Sequence, residues 1–370
     1  MKRGNNMNEV ILRNTLSEQY LCAAKKTFRT EDTLSFSDKK TVLVQISDLH
    51  GDLRSFQNAL TLIRHIKPTF AVHTGDVVTW NASDDSRFFY DGIENETVPI
   101  FNTVGNHDTF RNERTLSEKE LYEMFVSPLS GIVCDEKPYY FVDFEKEALR
   151  LIVLCPYDFE SADSSIRDKY AVKKEQADFL CRALSEAKEK GYGVLIAMHE
   201  LADEPKLCDA DNRFCQRFDP HPWGGRRAEH DPFVVEDIVE AFRRGEKIEK
   251  TYTYSRTGES FTVEYAFSGR GEFICYLTGH RHGDFCGALA HHPGQLFFCM
   301  TCTGCFPEGY HNIGEEISDL PRIPDTVTED ALNAYVIDRE QKTVSVVRYG
   351  ALINDRGEMR VFEKFRYETL

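Results

Sequence analysis

The sequence predicts an α/β fold in which mixed β-sheets are layered as a sandwich and flanked by helices. Short apolar runs of strand length recur along the chain and alternate with segments whose apolar residues have helical spacing. Other strand-like segments come in pairs around short polar turns, as in antiparallel hairpins. Because strand–helix–strand order favours covered parallel sheets, the two patterns together predict mixed sheets in layers.

Each predicted element has its own pattern. Buried strands are predicted over residues 42–46, 70–73, 100–104, 194–198 and 273–277. Helices are predicted over residues 55–67, 173–190 and 233–244, where apolar residues recur every three to four positions. Hairpins are predicted to join residues 139–144 to 149–154, 252–254 to 261–265, and 334–337 to 343–348.

The domain organisation follows from changes in pattern along the chain. Residues 1–40 are polar and unpatterned and are predicted to be a leader. Residues 41–350 form the predicted main domain, within which residues 201–270, rich in turn clusters such as DPHPWGGRR, are interpreted as an insertion or cap. Residues 351–370 are predicted to be a C-terminal strand extension.

The net charge, the apolar segments and the cysteines of the chain limit its expected partners and location. The 370 residues carry a formal charge of −16, which argues against binding of long nucleic acids or anionic membranes. No unbroken apolar segment near the N-terminus predicts a signal peptide or a membrane anchor. Eleven cysteines, an odd number scattered through apolar runs, indicate reduced thiols rather than a disulfide framework. We therefore expect a cytoplasmic protein; its oligomeric state is not predicted.

Metal-ligand residues follow all five predicted buried strands. The strands end in SDLHGD, TGD, GNHD, MHE and GHRHGD, which supply Asp48, His50, Asp76, Asn106, His199, His280 and His282. Any one of them could be an ordinary turn residue. Because ligands of α/β sheets bind beyond the carboxyl ends of the strands, however, we expect the seven side chains to converge. Gly75, Gly105 and Gly279 are expected to let the backbone turn sharply at these points.

In this order, the motifs resemble those of the calcineurin-like metallophosphoesterases, in particular the bacterial-type branch that acts on small substrates. The resemblance implies a metallophosphoesterase-like fold holding two divalent metal ions (Mn, Fe, Zn or Co). One ion is expected on Asp48, His50, Asp76 and His282. The other is expected on Asp76, Asn106, His199 and His280, so that Asp76 bridges the two.

The implied activity is hydrolysis of a phosphoric ester. Two ions can acidify a bridging water to hydroxide, which acts as the nucleophile, and can neutralise the phosphoryl charge. His107 is expected to act as general acid or to donate a hydrogen bond to the phosphoryl group, with Asp108 or another carboxylate orienting it. A phosphodiesterase and a phosphomonoesterase both remain open. A non-catalytic scaffold on the same fold is the alternative from a different class.

One departure from the family concerns protein Ser/Thr phosphatases, which are a further alternative. Those enzymes carry aspartate and arginine three and four residues after the bridging aspartate, and glutamate after GNH. Here the positions hold Thr79, Trp80 and Asp108, which favours a small phosphoester over a phosphoprotein as substrate.

The substrate-binding residues are predicted less directly. Asn106 adjoins the expected metals, and Arg226 and Arg227 could close over them as part of the cap. Arg281 lies within the GHRH motif. Cys299, Cys302 and Cys305 have a spacing seen in iron–sulfur sites but lack a fourth nearby cysteine, so buried thiols are the preferred interpretation.

Overall fold

The computed structural model describes residues 40–79, 86–111, 114–157, 170–202, 232–254, 258, 260–282, 285–300, 302–304, 329–350 and 360–367. Their helices, in chain order, are α1 (Leu53–Ile66), α2 (Arg87–Ile93), α3 (Glu118–Phe125), α4 (Lys174–Glu189) and α5 (Val234–Arg244). Their strands are β1 (Lys40–Ile46), β2 (Phe70–His73), β3 (Ile100–Asn102), β4 (Phe110–Arg111), β5 (Arg114–Thr115), β6 (Tyr140–Phe144), β7 (Leu149–Val153), β8 (Gly193–Ala197), β9 (Lys247–Thr253), β10 (Ser260–Ala266), β11 (Glu272–Thr278), β12 (Phe285–Ala288), β13 (Leu296–Cys299), β14 (Ala331–Asp338), β15 (Thr343–Gly350) and β16 (Arg360–Arg366).

Two six-stranded sheets form the centre of the fold. The first has the order β16-β15-β14-β1-β2-β3, and the second has the order β12-β13-β11-β8-β7-β6. The adjacent strands β1, β2 and β3 are parallel, as are β7, β8, β11 and β13, whereas the outer strands pair antiparallel. The sheets are therefore mixed, as the sequence predicts.

Three apolar clusters define four layers. One cluster lies between the sheets and includes Leu43 of β1 and Leu195 of β8. Val44, next to Leu43, points to the opposite face, where α1, α2 and α3 cover the first sheet. Helices α4 and α5 and the β9–β10 hairpin cover the second sheet. The predicted sandwich flanked by helices is confirmed.

The predicted elements are present with small shifts at their ends. All five buried strands, the three hairpins and the three helices form in the structure. Helix α1 begins after Asp52, whose carboxylate accepts N–H groups from Arg54 and Ser55 at 3.0 and 3.1 Å. It ends at Lys67, which has a left-handed φ of 52°.

The predicted division into leader, domain and extension stays a prediction, although several of its parts can be located. The leader lies outside the described residues apart from Lys40, which begins β1. Of the predicted insertion, residues 203–231 also lie outside them, whereas α5 and the β9–β10 hairpin pack in the outer layer beside α4. In the last segment, β16 pairs with β15. No helix among the described residues is long and apolar enough to cross a membrane.

Candidate metal centre

The seven predicted ligand side chains lie close together, beyond the carboxyl ends of parallel strands from both sheets. Strands β1, β2 and β3 of the first sheet lead into the loops of Asp48, His50, Asp76 and Asn106. Strands β8 and β11 of the second sheet lead into His199, His280 and His282. The ligands therefore come from both sheets. The packing of the two sheets against each other sets the distances between ligands of the first sheet and ligands of the second.

The first group consists of Asp48, His50, Asp76 and His282. Each can offer one donor atom such that the four atoms lie within 4.8 Å of one another. His282 Nε2 lies 3.0 Å from His50 Nε2 and 3.3 Å from Asp48 Oδ1, and His50 Nε2 lies 3.7 Å from Asp76 Oδ2. Donor atoms so close together can share one ion.

The second group consists of Asp76, Asn106, His199 and His280. His199 Nε2 lies 3.2 Å from Asp76 Oδ2 and 3.1 Å from Asn106 Oδ1. His280 Nδ1 lies 3.0 Å from the same Asn106 oxygen. Asp76 Oδ2 thus stands between His50 of one group and His199 of the other, which is the position a bridging carboxylate needs.

The backbone at these positions is unusual. Five of the seven candidate ligands have a left-handed φ, between 47° and 70°, although none is glycine: Asp48, His50, Asp76, His280 and His282. Such conformations cost energy for residues with a Cβ and persist only where the surrounding structure enforces them. Their concentration here indicates that side-chain direction at this site outweighs local backbone preference.

Gly75, Gly105 and Gly279 are needed near the ligands for two different reasons. Gly75 has a left-handed φ of 97°, which agrees with the expected sharp turn. Gly105 and Gly279 do not have a left-handed φ, so the expected sharp turn at these two glycines stays a prediction. They are needed for space: a Cβ at Gly105 would collide with Asp76, and one at Gly279 would lie 2.5 Å from Asp48 Oδ2.

Backbone groups orient several of the ligands. His199 Nδ1 donates a hydrogen bond of 2.6 Å to the carbonyl oxygen of Thr74, which leaves Nε2 to face the centre. The N–H of His280 donates to both oxygens of Asp48, at 3.2 and 3.1 Å. The N–H of His107 donates to Asp76 Oδ1 at 2.9 Å, so that Oδ2 is the oxygen nearer the imidazoles.

Glu200 is a site residue that the sequence reasoning missed. Its buried carboxylate lies 3.5 Å from His280 Nε2 and accepts a hydrogen bond from the hydroxyl of Tyr157 at 2.9 Å. A carboxylate behind a histidine holds the ring so that the other nitrogen can bind a metal, here Nδ1. The only signal in the sequence was its position directly after His199.

His107 and Asp108 have different surroundings. The imidazole of His107 stacks edge-on at 4.6 Å from that of His50, its Nδ1 contacts the carbonyl of Thr79, and its Nε2 lies 3.9 Å from Asp76 Oδ2. Asp108 is fully buried, and its carboxylate accepts N–H groups from Asp76, Gly105 and Val78 at 2.9, 2.9 and 3.1 Å. These contacts hold the ligand loops together; a role for Asp108 in orienting His107 stays a prediction.

The electrostatics of the site suit cations. Burial lowers the pKa of His50 to about 3 and that of His280 to about 4, so both imidazoles are neutral donors. Burial also disfavours charge on His199, but Asp76 and Asp48 more than offset it and raise its pKa to about 10. Burial raises the carboxyl pKa of Asp76, yet His199, His107 and His50 lower it well below its usual value.

The donor set fits two divalent metal ions. It combines two buried carboxylates, four imidazoles and one amide oxygen, a mixture that first-row divalent ions accept. Without ions, the carboxylates are balanced mainly by a protonated His199, a proton that a bound metal would displace.

The remaining predicted residues are less central. Arg226, Arg227 and Cys305 lie outside the described residues. Arg281 lies on the loop between His280 and His282, and its charge is one of the factors that lower the pKa of His280. Cys299 and Cys302 are buried thiols, and Cys299 Sγ donates to the carbonyl of Gly279 at 3.1 Å. Their burial is as expected for buried thiols, and the choice against an iron–sulfur site stays a prediction.

Comparison with a solved structure of a dimetal phosphatase shows the same fold. A dimetal phosphatase from Danio rerio superposes with a TM-score of 0.53 at 12% identity, covering 89% of this chain and 99% of that one. A conserved uncharacterized protein from Streptococcus pneumoniae, described as a predicted phosphoesterase, gives a TM-score of 0.31 at 11% identity, with 87% and 97% coverage. Comparison with curated proteins gave no significant match.

The sequence itself matches a family model. The model for calcineurin-like phosphoesterases aligns with residues 41–242, more than half of the chain. That range contains Asp48, His50, Asp76, Asn106 and His199, and the structure adds His280 and His282 from beyond its end. The chain therefore belongs to the calcineurin-like phosphoesterase family.

Proposed function

We propose that the protein is a dinuclear metal-dependent hydrolase of a small phosphomonoester or phosphodiester. The observation that carries the proposal is the position of Asp76 Oδ2, 3.7 Å from His50 Nε2 and 3.2 Å from His199 Nε2, where one carboxylate can serve two ions. Mn, Fe, Zn and Co all remain candidate ions. When bound, two such ions acidify water and neutralise the phosphoryl oxygens.

His107 is the proposed proton donor. Its Nδ1 proton is held by the carbonyl of Thr79, which leaves Nε2 on the side of Asp76 and the metal ligands. With Nδ1 protonated, a second proton on Nε2 makes the ring an imidazolium, which can give that proton to the leaving alkoxide or donate a hydrogen bond to a phosphoryl oxygen. We expect His107→Asn to retain both metals and to lower kcat by about 10²–10⁴-fold. A variant with both metals and full turnover would remove this role.

The partners and location follow from the same features and remain proposals. The formal charge of −16 favours a small substrate over a long nucleic acid and over a membrane surface. Substrate contacts are proposed for Asn106, Arg226, Arg227 and Arg281. The buried thiols of Cys155, Cys181 and Cys275, which form no disulfide, suit the reducing conditions of the cytoplasm. A phosphoprotein substrate is disfavoured because Thr79 stands where the protein Ser/Thr phosphatases carry aspartate.

The test is hydrolysis of bis(p-nitrophenyl) phosphate and p-nitrophenyl phosphate in the presence of Mn²⁺. We expect turnover of at least one of them by the wild type and loss of it in Asp76→Asn. Faster cleavage of the diester would favour a phosphodiesterase, and faster cleavage of the monoester a phosphatase. No turnover in protein that carries two metals would favour the scaffold alternative and contradict the proposal for these substrates.

A further inference from the structure

Polar side chains lie on the inner, otherwise apolar face of the first sheet. Leu43 of β1 packs between the sheets, so Gln45, two residues further, points the same way. Asn333 of β14 pairs with Gln45 across the sheet, and Arg348 of β15 pairs with Asn333. All three are at most 1% exposed. Because buried polar groups are costly unless they are hydrogen-bonded, this row needs partners.

From Gln45, hydrogen bonds lead to Asp48 in the candidate metal centre. Gln45 Nε2 donates to Thr74 Oγ1 at 2.9 Å, Thr74 Oγ1 donates to Ser47 Oγ at 2.7 Å, and Ser47 Oγ donates to Asp48 Oδ2 at 2.5 Å. Gln45 Nε2 also donates to the carbonyl of Thr278 in the second sheet at 2.8 Å. Gln45 therefore joins the two sheets directly beneath the ligand loops.

The far end runs back to a buried cation. Tyr335 Oη donates to Gln45 Oε1 at 2.6 Å, and Asn333 Nδ2 donates to Tyr335 Oη at 3.1 Å. Arg348 Nε donates to Asn333 Oδ1 at 2.8 Å. Every group in this series donates toward Asp48, so that a guanidinium stands at one end and a carboxylate at the other. Hydrogen bonds aligned in this way polarise and strengthen one another.

We propose that this directed chain of hydrogen bonds, from Arg348 to Asp48, positions the Asp48 carboxylate for metal binding. Ser47 holds Oδ2, while Oδ1 is the oxygen 3.3 Å from His282 Nε2 and 3.9 Å from His50 Nε2. The chain thus holds Oδ2 through Ser47 and leaves Oδ1, which shares the N–H of His280 with Oδ2, on the side of the imidazoles and the metal. The inference rests on Asp48 being a metal ligand, as proposed above.

The test uses two tyrosines with matching hydrogen bonds. Tyr335→Phe deletes one hydroxyl from the middle of the chain and leaves the ring to pack on Phe298 at 5.1 Å. The control is Tyr276→Phe in the second sheet. Tyr276 is equally buried, and its hydroxyl donates to Gln295 Oε1 at 2.6 Å, as that of Tyr335 does to Gln45. Both variants lose a donated hydrogen bond of the same length. Tyr335→Phe also loses the hydrogen bond accepted from Asn333 and so breaks the chain.

The measurement is the dissociation constant of Mn²⁺ by titration calorimetry, with the unfolding midpoint of each variant recorded alongside. We expect Tyr335→Phe to bind Mn²⁺ about tenfold more weakly and Tyr276→Phe to bind it as the wild type does. Equal affinity in the two variants would overturn the inference. Absence of Mn²⁺ binding in the wild type would instead overturn the proposed function.

A double variant tests whether the groups act as one chain. Ser47→Ala removes the last donor, after which the upstream hydrogen bonds no longer reach Asp48. We therefore expect Ser47→Ala combined with Tyr335→Phe to bind Mn²⁺ as weakly as Ser47→Ala alone. Losses that multiply in the double variant would show two independent effects and would contradict a continuous chain.

Discussion

Gly279→Ala tests whether the glycine of the GHRH loop is needed for space rather than for backbone conformation. A Cβ at this position would lie 2.5 Å from Asp48 Oδ2 and 3.2 Å from the carbonyl of Thr74, and closer still to Ser47 Oγ. Ordinary non-bonded contacts are about 3.5 Å, so the loop has to withdraw by at least about 1 Å. That loop carries His280 and His282, which belong to different ligand groups.

We expect the free energy of unfolding of Gly279→Ala to fall by about 1–3 kcal/mol through overpacking. Displacing ligands by about 1 Å is also expected to weaken Mn²⁺ binding by at least about tenfold and to lower kcat by about 100-fold. The assays are urea unfolding, Mn²⁺ titration and hydrolysis of the nitrophenyl esters.

The matched control is Gly191→Ala, in the turn after α4. Gly191 has a left-handed φ of 70° and no atom within 4 Å of an added Cβ, so alanine there strains only the backbone, by about 1–2 kcal/mol. We expect it to lose stability and keep Mn²⁺ affinity. If both variants bind Mn²⁺ equally well, the argument from close approach is refuted.

Three further predictions concern the surroundings of the ligands. Glu200→Gln should weaken Mn²⁺ binding about tenfold with little loss of stability, because His280 loses its carboxylate partner; unchanged titration curves would contradict this. Asp108→Asn should lower the free energy of unfolding by about 1–3 kcal/mol. Both carboxylate oxygens of Asp108 accept N–H groups, three in all, whereas asparagine has a single acceptor oxygen. An unchanged urea midpoint would count against this prediction. The metal-free protein should lose stability as the pH falls from 6.5 toward 4. Burial lowers the pKa of His73 and of His280 from 6.5 to about 4, so in this pH range both side chains take up protons when the protein unfolds. Urea midpoints that stay flat between pH 7 and pH 5 would refute this prediction.

Local patterns in the sequence were enough to predict the strands and the convergence of the ligands. Each candidate ligand lies within four residues of the end of a strand, and the carboxyl ends of neighbouring strands meet at one edge. Glu200 was missed because an acidic residue after a strand is common, and only the fold brings it to His280. The reason for Gly279 was also hidden, because its crowding comes from Ser47 and Asp48, more than two hundred positions away.

The chain of hydrogen bonds could not be predicted from spacing. Gln45 and Tyr335 are 290 positions apart and become neighbours only through the pairing of β1 with β14. A polar residue on the inward face of a buried strand, such as Gln45 or Arg348, was the one available signal. Without the register of the sheet, that signal does not identify a partner.

The number of metal ions bound per chain tests the central claim most directly. Purified protein should be loaded with Mn²⁺, freed of excess ion and measured by elemental analysis, with Asp76→Asn prepared in parallel. We expect about two equivalents in the wild type and fewer than two in Asp76→Asn, because both ligand groups share Asp76 Oδ2. One equivalent or none in the wild type, or two in Asp76→Asn, would contradict a dinuclear centre bridged by Asp76.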